Sequence, residues 1–392
     1  MKIDKMCFKN FKSLYDAEFE PGNINVLIGA NGSGKSTVLE SIGILSAAMT
    51  DRVNDNSLQR KGIRLSPPAM NLSRFKTITH AKPYAEFGID WTEDGVKCAY
   101  HADMVPPTSG DAWQYLSEAA AEDGQKVMER SNRTKAPIGN DIGYFMLTSA
   151  LKDKICRKMG EHLTGYGIYQ PETRTLRGNT SDPVPATPVG LSGGRLADAV
   201  QDILTEKDGE IKFGDLDEED ILSLIDWADG FRIAAPKKAT LNANVSSTRQ
   251  VVEFKDRYLK KNACFTGYNA SEGALYVLFI LTLAMHPDAP SVFSIDNFDR
   301  ALNPRLARRL MRIFCGEILK REKTVFLTTH NPLVLDALDL SDDRIRLFAV
   351  KRNDKGYTVL ERVKISNKLL ETGMPLSRLW MDGYIGGVSD LL

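Results

Sequence analysis

The sequence predicts an α/β fold in which helices flank a mixed and largely parallel sheet around a phosphate-binding loop. Three observations predict it. First, an apolar run from Ile24 to Ile28 leads into Gly29-Ala30-Asn31-Gly32-Ser33-Gly34-Lys35-Ser36, the G-x-x-x-x-G-K-[ST] pattern, and then into an apolar-periodic stretch to Met49. Second, Ser291-Val292-Phe293-Ser294-Ile295 is a short apolar run that ends on Asp296. Third, Thr324 to Thr328 is another such run, followed at once by Thr329-His330-Asn331-Pro332. Polar residues just beyond the carboxyl ends of buried parallel strands are where α/β proteins hold ligands.

Each element has its own chemistry. The glycines let the first loop curl so that its N–H groups point inward and, with the helix N-terminus, cradle phosphate oxygens. Asn31, Gly32, Ser33, Gly34, Lys35, Ser36 and Thr37 are therefore the candidate nucleotide-binding residues, with Lys35 reaching the β/γ-phosphates and the Ser36 hydroxyl placed to ligate Mg²⁺. Asp296 supplies Mg²⁺ with an oxygen ligand or a water-holding partner. His330 is placed to hydrogen-bond a γ-phosphate or a water.

Whole-chain properties bound the alternatives. The 392 residues allow two or three domains. Lysine plus arginine and aspartate plus glutamate both number 51, so no global field steers the protein toward nucleic acid or an anionic membrane. Cys7, Cys98, Cys156, Cys264 and Cys315 are far apart with no C-x-x-C pair, which reads as core packing in a reducing compartment. The first residues lack a basic region leading into an apolar stretch, and no segment is long enough to cross a bilayer. The expectation is a cytoplasmic protein with no membrane partner.

Between the motifs the chain reads as follows. Lys2 to Phe8 and Leu14 to Phe19 are strands around a basic loop; Tyr84 to Trp91 and Val96 to Ala102 form a hairpin. Trp113 to Arg130 and Ile142 to Leu163 are expected helices, Gly165 to Gly190 irregular, Arg195 to Leu204 a short helix, and Glu206 to Glu219 an acidic linker. Ile221 to Trp227 is read as helix and Thr248 to Tyr258 as strand. No heptad run persists, so a long coiled-coil arm is not expected. After Asn269-Ala270-Ser271-Glu272-Gly273 comes an apolar helix, Ala274 to Met285, and Arg344 to Ile365 resembles a hairpin.

With these residues on the page, the chain resembles ATP-binding-cassette (ABC) type ATPases of the chromosome-maintenance (SMC) and recombination group. The resemblance is to the small cytosolic AAA-like ATPases related to RecF and to the ATPase half of overcoming-lysogenization-defect (OLD) nucleases. It implies a P-loop ABC/SMC-type ATPase head split between residues 1–50 and 265–392. Residues 51–264 would complete the head sheet and form a largely helical lid or insertion. It places Lys35 and Ser36 in Walker A, Asp296 in Walker B, His330 in the switch-histidine loop and Ala301-Leu302-Asn303 in the D-loop. Ser271 and Gly273 fall in the signature motif, which acts in trans on the γ-phosphate held by the other head of an ATP-closed homodimer; a higher oligomer is also open. Gln170, after Tyr169, is the candidate Q-loop ligand of the metal. Leu191-Ser192-Gly193-Gly194 matches the transporter signature literally but lies about 100 residues before Asp296, whereas Ser271 lies 25 before it. It is read as a glycine turn leading into the helix from Arg195.

One departure bears on mechanism. The family's water-polarising glutamate follows the Walker B aspartate; here Asn297 stands in that place, and an amide cannot take up the water's proton. Asp299 or an insert residue substitutes, or His330 takes part of the role, or hydrolysis is slow and ATP acts as a clamp. Asn297→Glu is expected to raise turnover. DNA contact is open, through Lys9 and Lys12, through Arg52, Arg60, Lys61 and Arg64, or through Arg305, Arg308, Arg309 and Arg312. The carboxyl-terminal segment is too short for the toprim domain of OLD nucleases. The resemblance therefore implies an ATPase subunit beside a separately encoded effector, such as a nuclease of an antiphage defence system. The alternatives are a RecF-type DNA repair ATPase and a non-hydrolysing ATP-dependent structural module.

Overall fold

Two six-stranded sheets enclose the helix that follows the phosphate loop. The computed structural model describes residues 1–131, 139–145, 147, 151–207, 210–237, 241, 249–260, 263–364 and 373–386. The first sheet takes β3 (Ile24–Ile28), β8 (Ile168–Tyr169), β15 (Val292–Ile295), β16 (Thr324–Thr328), β17 (Ile345–Arg352) and β18 (Thr358–Arg362), in the order β18-β17-β3-β16-β15-β8. All are parallel to their neighbours except the antiparallel β18. Every residue of β3, β15 and β16 is buried, because both faces of the sheet are covered; hence their unbroken apolar runs.

The second sheet is antiparallel: β1 (Lys2–Phe11), β2 (Leu14–Phe19), β4 (Ala85–Glu93), β5 (Val96–Val105), β6 (Gln114–Glu122) and β7 (Gln125–Ser131), ordered β2-β1-β4-β5-β6-β7. It buries one face and alternates accordingly: Cys98, Tyr100, Ala102 and Met104 of β5 point inward, with Lys97 and His101 outward. Helix α1 (Lys35–Thr50) fills the space between the sheets, Val38, Leu39, Ile42 and Leu45 packing among Phe8, Phe87, Phe326 and Phe348. Glu40 is in the same interior. Its carboxylate is held by Lys12 at 2.8 Å and Arg64 at 2.7 Å, since a buried charge is tolerable only when paired.

The other face of the parallel sheet carries α5 (Leu196–Ile203), α7 (Glu272–Met285), α8 (Pro304–Lys320), α9 (Pro332–Leu335) and α10 (Leu376–Met381). Shorter pieces are α2 (Asp55–Arg60), α3 (Arg157–Thr164), α4 (Thr173–Leu176) and α6 (Glu218–Leu222). Among the described residues no helix is long and apolar enough to cross a membrane. The cysteines are free, with Cys98, Cys156 and Cys315 buried.

Residues 51–264 depart from the expected largely helical insertion: in the described part strand outweighs helix. The helix expected over Trp113 to Arg130 is the β6–β7 hairpin, turned at Asp123-Gly124, both with positive φ. Helix propensity in Ala119-Ala120-Ala121 yields to pairing with β5 and to a turn that matches strand twist. The helix expected over Ile142 to Leu163 is confined to α3, and positions 146 and 148–150 lie outside the described residues. The acidic linker is a three-stranded meander of β9 (Leu204–Lys207), β10 (Glu210–Phe213) and β11 (Leu216–Asp217), anchored by the buried Phe213. Helix over Ile221 to Trp227 stops at Leu222, and the chain passes into β12 (Ala228–Ala234), which pairs with β13 (Val251–Asp256) and so with β14 (Cys264–Thr266). Finally, the segment Gly165 to Gly190 contains β8, whose two residues extend the parallel sheet, and α4.

Candidate functional site

The loop between β3 and α1 has a shape that two glycines make possible. Gly29 has φ 154, and a Cβ there would stand 2.1 Å from the Val350 carbonyl oxygen; Gly34 has φ 111, with a Cβ 2.2 Å from Thr358 Oγ1. The loop is braced from the far end of the chain. Arg352 Nε donates to the Gly32 carbonyl at 3.0 Å, and Thr358 Oγ1 donates to the Ser33 carbonyl at 2.7 Å. Asn31 and Gly32 are exposed at the loop tip, whereas Ser33 and Lys35 are buried. Lys35 Nζ donates to the carbonyls of Gly29 at 2.7 Å and Ala30 at 3.1 Å. Burial holds its pKa below the usual lysine value, opposed by the charge of Asp296.

Asp296, at the end of β15, gathers the metal candidates. Its Oδ2 accepts from Ser36 Oγ at 3.2 Å and from Gln170 Nε2 at 2.9 Å, while Oδ1 accepts from Thr328 Oγ1 at 2.5 Å. Gln170 arrives there because β8 pairs in parallel with β15, so both strands end at the same edge. The Ser36 hydroxyl and the Asp296 carboxylate are hard oxygen donors of the kind Mg²⁺ takes, and Gln170, whose Nε2 faces the carboxylate here, carries an amide oxygen on the same side chain, so the residues present fit that ion. His330 lies beyond β16, beside the same edge. Partial burial and the charge of Lys35 hold its pKa below the ordinary histidine value, against the pull of Asp299 and Asp296.

Asn297 has φ 60, a conformation asparagine tolerates far better than most residues. Its N–H donates to Thr328 Oγ1 at 2.8 Å, and its carbonyl accepts from Tyr276 OH at 2.9 Å, so the turn is pinned on both sides. For Asn297→Glu, backbone strain is a cost separate from any change in turnover. That variant is expected to lose about 1 kcal/mol of stability to left-handed backbone strain, read as a lower urea midpoint, while Asn297→Gly is close to neutral.

Ser271 and Gly273 stand apart from this cluster. Ser271 is exposed and caps α7, its Oγ accepting from the Ala274 N–H at 3.3 Å and from Trp227 Nε1 at 3.3 Å. Among the described residues it has no hydrogen bond to Lys35, Ser36, Asp296 or His330. A Cβ on Gly273 would lie 3.3 Å from the Ala301 carbonyl, so the segment Ala301 to Asn303 abuts the start of α7, and Asn303 caps α8. The Leu191 to Gly194 string wraps the Asp182 carboxylate, which accepts from the N–H groups of Ser192 and Gly194 at 3.0 Å each, before α5 begins.

Several residues escaped sequence reasoning. Arg352 and Thr358 brace the loop from 320 and 325 residues away, a relation no local pattern signals. A cavity of about 570 Å³ beside the loop is lined by Lys12, Thr37, Arg64, Arg74, Phe75 and Arg352. The Phe75 ring on its wall packs edge-on to Tyr357 at 4.7 Å. The basic stretches also sort themselves. Lys9 pairs with Asp16, Lys12 and Arg64 with Glu40, Arg52 with Asp141 and Arg60 with Asp51, while Lys61 is buried. Arg305, Arg308 and Arg312 are exposed on α8 with no ion pair among the described residues, and Arg309 donates to the Ser223 carbonyl.

Comparison with known proteins agrees with this geometry. Residues 1–84 match a family model described as "AAA ATPase domain", and residues 194–336 match one described as "AAA domain, putative AbiEii toxin, Type IV TA system". The DNA replication and repair protein RecF of Lacticaseibacillus casei (strain BL23) is 42% identical over 77 residues, 19% of this chain and 20% of that protein. The DNA double-strand break repair Rad50 ATPase of Saccharolobus solfataricus is 36% identical over 77 residues, 19% of this chain and 9% of that protein. The chain thus spans a fifth or less of the length of these curated relatives. Among solved structures, an SMC head bound to the C-terminal winged-helix domain of ScpA aligns with TM-score 0.55 at 12% identity, over 95% of this chain and 100% of that one. A Pyrococcus furiosus Smc head with an extended coiled coil, bound to the ScpA C-terminal domain, aligns with TM-score 0.54 at 10% identity, over 97% and 99%. The fold is the P-loop ABC/SMC-type ATPase fold.

Proposed function

We propose that this SMC/RecF-like chain is a cytoplasmic ATPase subunit that binds MgATP, hydrolyses it slowly and closes head-to-head homodimers on it. One observation carries the reading: Asp296 joins Ser36 of the phosphate loop to Gln170 on the neighbouring strand, directly beside Lys35 and His330. In this reading Mg²⁺ supplies charge neutralisation for the transferred phosphoryl group, held by Ser36, Gln170 and Asp296. Lys35 binds the β/γ-phosphates, and the neutral His330 imidazole orients the γ-phosphate. The N–H groups of Asn31 to Thr37 orient the remaining phosphates. Ser271 is exposed at the start of α7, with Gly273 beside it against the Ala301 carbonyl, and in this reading both act on nucleotide bound by the partner. With an amide at position 297, turnover is slow and the ATP-bound dimer long-lived.

The role we favour for that dimer is to hold or gate a separately encoded effector, such as a nuclease, in antiphage defence. The match of residues 194–336 to a model described for a Type IV TA system supports a partner-dependent role. A second reading, a RecF-type DNA repair ATPase, is favoured by Arg305, Arg308 and Arg312, exposed on α8 and without an ion pair among the described residues.

Turnover of radiolabelled ATP with and without duplex DNA, with light-scattering mass on the same samples, tests both. The expected result is slow turnover with an ATP-stabilised dimer indifferent to DNA. Turnover stimulated about tenfold or more by DNA moves the assignment to the repair ATPase, and ATP binding without turnover moves it to the structural module.

A further inference from the structure

We propose that Asp299 is the carboxylate that takes the proton of the attacking water, in place of the glutamate that Asn297 replaces. The proposal rests on the ATPase reading above and adds a residue to it.

The argument begins with what position 297 cannot do. Its amide accepts no proton, and its backbone is fixed in the left-handed region by Thr328 and Tyr276. Phe298, next along, is fully buried against Phe314 and bonds through its N–H to the Thr328 carbonyl at 2.9 Å. That tight turn brings the following residue back over the end of β16. Asp299 Oδ1 there accepts from Thr329 Oγ1 at 2.7 Å and from the His330 N–H at 3.3 Å. The carboxylate is therefore clipped by one oxygen to the loop that carries His330. Its other oxygen, Oδ2, has no hydrogen bond among the described residues, and the residue is half-buried, so a water can reach it. Asp299 is thus held against the loop that carries His330, three residues past Asp296 at the end of β15.

Other carboxylates in the neighbourhood are committed. Asp296 is engaged by Ser36, Gln170 and Thr328, and Glu272 accepts from Thr173. Glu172, two residues beyond Gln170, is exposed to solvent and tied to neither strand end.

The step balances as a hydrolysis. The water oxygen bonds to the γ-phosphorus as Asp299 Oδ2 takes one of its protons. The bond from phosphorus to the β–γ bridging oxygen breaks, with its electron pair remaining on ADP. The proton leaves Asp299 for solvent as phosphate departs.

The test is Asp299→Asn, which keeps an acceptor for Thr329 and His330 N–H and removes the base. Single-turnover hydrolysis of MgATP is expected to fall by about 100-fold or more. Affinity for a fluorescent ATP analogue should stay within about threefold, and the lifetime of the ATP-held dimer should lengthen in proportion to the lost turnover. Glu172→Gln is expected to hydrolyse at the wild-type rate. Turnover of Asp299→Asn within about threefold of wild type overturns the proposal, as does loss of turnover together with nucleotide affinity, which marks a structural role. Wild-type protein that binds ATP without Lys35-dependent turnover overturns the hydrolysis reading itself, and this proposal with it.

Discussion

Lys35→Ala is expected to abolish binding of MgATP while leaving the fold intact. The amine now spends its hydrogen bonds on the Gly29 and Ala30 carbonyls, and burial disfavours its charge, so removing it costs the empty head little. Bound to β- and γ-phosphates it is a desolvated, charge-assisted donor. Losing such a partner costs about 3 kcal/mol or more, over 100-fold in Kd. Calorimetric titration measures the affinity and thermal unfolding the stability. An affinity within about tenfold of wild type removes the phosphate-loop assignment, whereas a collapsed melting temperature shows that the residue is structural.

Ser271→Arg is expected to separate binding from closure. Among the described residues Ser271 hydrogen-bonds within its own cap and to Trp227, at the exposed start of α7, so nucleotide affinity should stay within about twofold. Losing the cap costs about 1 kcal/mol of local stability. An ATP-closed dimer, in contrast, would have to bury a long cation where a hydroxyl meets the partner's γ-phosphate. Its dissociation constant should rise by about 100-fold or more by light scattering, the scale of an unaccommodated charge at an interface centre. Trp227, as donor to Ser271 Oγ, offers a fluorescence readout of the same step. A variant that dimerises on ATP like wild type would remove the trans role of Ser271.

The two strand-end motifs were legible because their chemistry is local. A glycine loop after an apolar run and an aspartate closing another are patterns a single segment displays, and the structure joins them through Ser36 and Asp296. Gln170 was harder to read, because β8 has only two residues and lies in a stretch rich in glycine and proline; its strand character comes from β15 alone. The β6–β7 hairpin was misread for the opposite reason: Glu118 to Glu122 has helical composition, and only the Asp123-Gly124 turn signals a hairpin. Asn297 looked like a missing catalytic group, and its positive φ supplies a backbone reason for asparagine that no pattern displays. The bracing of the loop by Arg352 and Thr358, and the clip between Asp299 and Thr329, are tertiary contacts without a sequence period.

The strand that delivers the phosphate loop has as neighbours β16 and β17, pairing Val26 with Leu327 and with Leu347. During synthesis, β3 leaves the ribosome roughly 300 residues ahead of both, which at about 5–20 residues per second is a delay of about 15–60 s. Until then it has two unpaired apolar edges, an invitation to wrong pairing. The antiparallel sheet has no such handicap, since β1 and β2 pair within 18 residues, from Lys2 to Phe19. Assembly of the nucleotide-binding edge is thus a late, high-contact-order event in the birth of the chain.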